Sequence, residues 1–294
     1  MSALSDIAPE CLWDVGATLG EGACWDAPAG CVWFTDIKGC RIHRYDPVTN
    51  SRESWDAPGQ PGFALPRTSG GLVVGMPHGL HHFDPETGSF TLLRTVEADR
   101  SGNRMNDGFA DPQGRLWFGS MDDAEESSTG ALYRWDGEDD PARLEDGIII
   151  TNGPAHSPDG TTLYHTDTLD RSTWAYRLAA DGSIADKRLF ARIEDGAGYP
   201  DGMAVDSEGC VWIALFAGWG IRRYAPDGTL LGKVPFPVAN VTKLAFGGDD
   251  LRTVYATTAA KGLSDAERAA QPLGGGLFTF RSPVAGLPSY RVRA

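Results

Sequence analysis

The chain has 294 residues, 41% hydrophobic, 10% aromatic and 22% charged, a composition that excludes a disordered or low-complexity polypeptide. Forty acidic against 26 basic residues give a net charge of −14, which repels phosphate backbones and anionic membranes, so neither is an expected partner. No apolar run approaches the roughly 20 residues of a membrane span, and MSALSDIAPECLWD at the start has no basic or apolar targeting pattern.

The predicted elements repeat along the chain. PAGCVWFTD with RIHRYDP is followed by SGGLVVGM with LHHFDPETG, then by PQGRLWFGS with ALYRWDG. SPDGTTLYHTD with TWAYRLAADG comes next, then SEGCVWIAL with IRRYAPDG, and last GDDLRTVYATT with GGLFTFRSP. Each unit is a glycine-bearing turn, a strand rich in β-branched and aromatic residues, and a second strand. Anchored on Trp33, Val74, Trp117, Tyr164, Trp212 and Tyr255, the units stand 41, 43, 47, 48 and 43 residues apart. Six such copies predict one all-β domain over 1–294, a six-bladed β-propeller with four antiparallel strands per blade. The only helix-like stretch is Leu263–Ala270, placed between strands of the last blade. The five cysteines, Cys11, Cys24, Cys31, Cys40 and Cys210, show no CxxC spacing. They read as free thiols of a reducing compartment, and a cytoplasmic location is expected.

One phase of the repeat carries polar residues. Eleven or twelve positions before the anchor stand Glu21, Asn106, Asn152 and Asp201, each followed within two positions by glycine. In a propeller this phase begins the innermost strand, so residues far apart in sequence converge at one mouth of the central channel. The second blade is apolar at this phase (Gly62-Phe63), and the sixth reaches it near Thr242 and Lys243. Asn-Gly and Asp-Gly are common turn pairs, but four at one phase, one of them a Glu, suit a functional ring. Two carboxylates and two amides would suit a hard or borderline divalent cation, with positions left for water and substrate.

At these residues the chain resembles the regucalcin (senescence marker protein 30)/gluconolactonase family of six-bladed propeller hydrolases, from about Trp13 to Arg281. The matching stretches are LGEG (19–22), NRMNDG (103–108), TNGP (151–154) with SPDG (157–160), and YPDGMAVD (199–206). FTDIKGCRIHRYDP, YHTDTLD, and NVTK with TTAAKGLSDAE are most similar to the branch of bacterial sugar-acid lactonases. The resemblance implies Glu21, Asn152 and Asp201 as metal ligands, Asp201 also as general base, and Arg104 and Asn106 as substrate contacts. It implies an acidic contact to sugar hydroxyls in the next loop as well, where Glu125 and Glu126 both align. The implied metal is a single Ca2+, Zn2+, Mn2+, Mg2+ or Fe2+. The implied reaction is hydrolysis of a xylono-, arabinono- or gluconolactone to the open-chain sugar acid, the ion polarising the carbonyl and activating the attacking water. Asp201 would take the proton, while Arg104 and Asn106 would orient the ring and stabilise oxyanion charge. A monomer acting on a small-molecule sugar lactone is expected.

Other chemistries lack support. His78-x-x-His81 would point to opposite faces of a strand rather than to one zinc ion. There is no HExxH, no Gly-x-Ser-x-Gly and no phosphate loop. The competing readings are an esterase of the same fold acting on a non-sugar ester or organophosphate, which needs an apolar channel mouth, and a non-catalytic propeller that binds metal or a partner.

Overall fold

The computed structural model describes residues 4–294. Six four-stranded antiparallel sheets follow one another along the chain. Their innermost strands are Gly20–Asp26, Phe63–Pro66, Asn103–Ala110, Thr151–His156, Tyr199–Val205 and Val241–Gly247, and each touches the innermost strands of its two neighbours, the sixth closing back on the first. This is the predicted six-bladed propeller. The last blade draws its fourth strand from the other end of the chain: Glu10–Trp13 pairs with Leu277–Arg281, Cys11 opposite Phe278. Joining the two ends of the chain in one sheet covers the open edge of Leu277–Arg281 and closes the ring of blades.

The repeat anchors explain the packing. All six lie in the second strand of their blade and are buried, so aromatic and branched side chains fill the space between adjacent sheets. A buried Trp must also satisfy its indole N–H. In blades 3 and 5 an aspartate at the turn does so: Trp117 donates to Asp111 and Trp212 to Asp206, both at 2.8 Å. Arg115 and Arg223 pair with the same carboxylates. The turn aspartate thus ties the first strand to the second in these two blades.

The expected helix is present and slightly shorter, Asp265–Ala270, started by a Ser264–Glu267 capping box between the second and third strands of blade 6. Among the described residues no helix is long and apolar enough to cross a membrane. All five cysteines are free. The final residues cross the far end of the channel: Leu287 donates its N–H to Val205, Val292 to Pro66 and Arg293 to Gly114, so the chain end bridges blades 5, 2 and 3 on the side away from the polar ring.

Candidate active site

Five of the six innermost strands are bulged, at Glu21/Cys24, Met105/Gly108, Asn152/Ala155, Pro200/Met203 and Val241/Lys243. The strand without a bulge belongs to blade 2, the blade whose sequence is apolar at this phase. A bulge inserts an extra residue and re-aims a side chain, and here each one lies at or beside a ring residue. The glycine that follows makes the distortion possible, Gly22 standing at φ +62°. The Glu-Gly, Asn-Asp-Gly, Asn-Gly and Asp-Gly signals are therefore bulges aimed at the axis rather than surface turns.

Glu21, Arg104, Asn106, Asn152 and Asp201 all line one cavity of about 260 Å³ at the channel mouth, and all five are buried. Asn106 Nδ2 donates to Asn152 Oδ1 at 3.0 Å and to the Thr151 carbonyl at 2.7 Å. Asn152 Nδ2 donates to Thr168 Oγ1 at 2.8 Å, and that hydroxyl donates to the Pro200 carbonyl. Blades 3, 4 and 5 are thus stitched together through side-chain amides. Arg104 donates to Asn106 Oδ1 at 2.6 Å and to Asp123 Oδ1 at 2.7 Å, so the guanidinium and the amide meet in the cavity.

The two carboxylates of the ring are under-satisfied. Asp201 Oδ1 is buried with no hydrogen-bond partner, and Glu21 accepts the Gly22 N–H at 3.1 Å. Burial first, and the nearby Asp107 carboxylate second, push Glu21 up to about 8. Burial first, and then Glu21 and Asp107, push Asp201 well above the usual carboxylate range. Converging buried carboxylates are the environment a cation relieves. Among the described residues no three His, Cys, Asp or Glu side chains stand close enough to hold an ion, so a seat here needs the amide oxygen of Asn152 beside the two carboxylates. The donor set is all oxygen, which fits a hard or borderline divalent ion.

The wall of the cavity holds residues outside the ring phase. Glu125 lines it, and Glu126 does not. Glu125 stands at φ +63° on a loop tied down by Asp122, whose carboxylate accepts the N–H groups of Ala124, Glu126 and Ser127. The neighbouring Asp123 accepts from Lys38, Gln60 and Arg104; burial would raise it, but these hydrogen bonds and the Arg104 charge hold it down to about 2. Lys261 of blade 6 pairs with Glu125 over the mouth. Leu19, Met121, Ile150, Leu169 and Phe216 make much of the remaining lining, so the mouth is more apolar than the polar motifs suggested. His78 and His81 line neither this cavity nor each other's ligand set; His81 and His82 sit in the third strand of blade 2, and His82 contacts Arg67 at 2.7 Å.

Comparison with known proteins identifies the family and the fold. The profile of the SMP-30/Gluconolactonase/LRE-like region matches residues 19–260. A 6-deoxy-6-sulfogluconolactonase of Pseudomonas putida is 34% identical over 94% of this chain and 96% of its own. An L-arabinolactonase of Azospirillum brasilense is 34% identical over 95% and 94%. The crystal structure of a calcium-binding protein, regucalcin, from Agrobacterium tumefaciens superposes with a TM-score of 0.93 at 28% identity, covering 98% of both chains. With a profile that spans most of its length and relatives above 30% identity over nearly all of it, this chain belongs to the SMP-30/Gluconolactonase/LRE-like family.

Proposed function

We propose that this protein hydrolyses an aldonolactone of the xylono-, arabinono- or gluconolactone type to the open-chain sugar acid, with one divalent metal ion held by Glu21, Asn152 and Asp201. The observation that carries the reading is the single cavity in which these three oxygen donors meet Arg104 and Asn106, with one oxygen of Asp201 buried and unpartnered. The names of the relatives above, lactonases of sugar acids and a calcium-binding regucalcin, support both halves of it. Ca2+, Zn2+, Mn2+, Mg2+ and Fe2+ all suit oxygen donors of this kind.

When bound, the ion supplies Lewis-acid polarisation of the carbonyl and of water. The protein's own groups do the rest. Asp201 accepts a proton from the attacking water. Arg104 is held by Asp123 on one side and by Asn106 on the other, so its charge is fixed in place before substrate arrives. A preorganised cation of this kind stabilises oxyanion charge as it develops. Glu125 and Lys261 present an acceptor and a donor to the outer hydroxyls. The apolar residues exclude water from the remainder of the ring. Free thiols and an acidic surface support a cytoplasmic monomer with a small-molecule substrate.

The test is pH-stat hydrolysis of a panel of aldonolactones with and without chelator, the spontaneous rate subtracted at each pH. Enzyme-dependent turnover that chelation abolishes and one of the metals restores is the expected result; full activity in metal-free protein overturns the metal role. The apolar lining favours one second reading, an esterase of the same fold acting on a non-sugar ester. An aryl ester and an apolar lactone in the same panel, hydrolysed faster than any sugar lactone, would establish it.

A further inference from the structure

Below the ring a buried ion pair crosses the channel. Lys243 of blade 6 donates to Asp107 Oδ2 of blade 3 at 2.6 Å, and both residues are almost inaccessible, 5% and 1% exposed. These blades stand opposite one another in the six-membered ring, so the pair spans the axis. Asp107 Oδ1 is occupied by the Gly108 N–H at 2.7 Å. The lysine stem passes against blade 5: a Cβ on Gly202 would stand 2.3 Å from Lys243 Cδ and 2.8 Å from the Thr242 carbonyl. The glycine directly after Asp201 is what lets the lysine run beneath that carboxylate. Asn106, just before Asp107, lines the mouth cavity, whereas Gly108, just after it, and Lys243 line a separate cavity of about 100 Å³ farther along the channel. The pair is the partition between the two.

The charges count as follows. Glu21, Asp107 and Asp201 are three buried carboxylates within electrostatic reach of one another and of Lys243. Arg104 shares the single Asp123 carboxylate with Lys38 at the edge of the cavity. One lysine stands among three carboxylates here, so this layer of the channel keeps an excess of acidic groups for a cation to neutralise.

We propose that Lys243 is a positioning residue that, tied to Asp107 across the channel, sets how strongly the Glu21–Asn152–Asp201 seat attracts a divalent ion. The proposal rests on the metal reading of that seat and deepens it. Lys243 needs no contact with substrate for this; it acts through the potential at the seat, and the effect of any one charge there scales with the charge of the ion bound.

The test is calorimetric titration of the metal-free full-length protein with Ca2+, Mn2+ and, as a trivalent probe, Tb3+. Wild type should bind one divalent ion. Lys243→Met adds a net negative charge and should bind Mn2+ at least about tenfold tighter, with a larger gain for Tb3+. Asp107→Asn subtracts one and should bind at least about tenfold more weakly. The double variant restores the balance and should return to within about threefold of wild type. Affinities that stay flat across the series, or a Lys243→Met protein that binds more weakly, overturn the proposal. Each single variant leaves its partner's charge buried and can fail to fold; the single variant that folds then decides together with the double variant, and either single variant with wild-type affinity overturns the proposal. Wild type that binds no divalent ion removes the metal reading itself, whereas one-ion binding with a flat series removes only the role of Lys243.

Discussion

Metal and proton should compete for the same two carboxylates, and the competition should be visible in stability. In the metal-free protein Glu21 is pushed up to about 8 and Asp201 well above its usual range, burial being the largest cause for both. The folded state then holds protons that the unfolded chain has released, so the contribution of Glu21 to stability falls as pH rises from about 4.5 to about 8, and Asp201 acts in the same direction. Metal binding requires the deprotonated carboxylates, so its benefit runs the other way. At pH 8 and a metal concentration of 100 Kd, binding to the folded state adds about 2.7 kcal/mol, a rise in Tm of roughly 5 °C for a chain of this size. At pH 5 the same metal concentration should move Tm by less than about 1 °C, because protonated carboxylates lower the apparent affinity by orders of magnitude. Two other sets of groups titrate nearby. Asp123, Glu194 and Asp250 are held down to about 2; their stabilisation is complete above about pH 5 and is lost only as pH falls toward 2. His43 and His165, lowered to about 4 chiefly by burial, favour the folded state more as pH rises from about 4 to 6.5, opposite in sign to the carboxylates. Glu21→Gln leaves those histidines untouched, so the difference between variant and wild type isolates the seat. The assay is scanning calorimetry of chelator-treated protein from pH 5 to 8, with and without each metal. A metal-induced rise in Tm that is equal at pH 5 and pH 8, or one that survives Glu21→Gln unchanged, would refute the reasoning.

Four further outcomes are expected. Asp201→Asn at saturating metal should lose on the order of 10²–10⁴ in kcat, with the spontaneous hydrolysis subtracted; turnover near wild type would leave Asp201 as a ligand only. Arg104→Ala should lower kcat/KM on the order of 10²-fold with metal content by elemental analysis nearly unchanged, and unaltered kinetics would remove Arg104 from the site. Glu125→Gln should raise KM for a sugar lactone while Glu126→Gln leaves it alone, since only Glu125 lines the cavity; equal effects would contradict that placement. Tm should barely move in Glu125→Gln, because a pair this exposed contributes at most about 1 kcal/mol. Thr168→Val removes the hydroxyl that accepts from Asn152 and donates to the Pro200 carbonyl, which should cost about 1–3 kcal/mol and weaken metal binding; an unchanged calorimetric affinity would show that Asn152 holds its orientation without it.

The fold was legible because each blade repeats the same solution: the six anchors occupy one structural position. The ring was legible for the same reason, since a shared phase in the repeat becomes a shared height on the axis. Local sequence could not give the geometry that lies between blades. Glu10–Trp13 reads as a weak edge segment and becomes a strand only because the last blade lacks its fourth. Asp107 hides beside Asn106 in an Asn-Asp-Gly that reads as a turn, and its partner Lys243 stands 136 residues away. Lys261 and Glu125 are likewise 136 residues apart. Both pairs join blades 3 and 6, and only ring closure brings those blades face to face.

That opposition gives the channel its layers. Glu125 and Lys261 stand over the mouth, the oxygen ring lies beneath them, and Asp107 with Lys243 closes the floor, with the chain's last residues covering the far end. The ring is therefore open toward the Glu125 side. The roof pair is half-exposed and salt-screened, so it opens at little cost. The floor pair is buried, and removing either partner alone leaves an uncompensated charge costing about 3–5 kcal/mol. Two ion pairs of the same chemistry, between the same two blades, are thus divided by burial alone into an accessible one at the mouth and a fixed one at the floor.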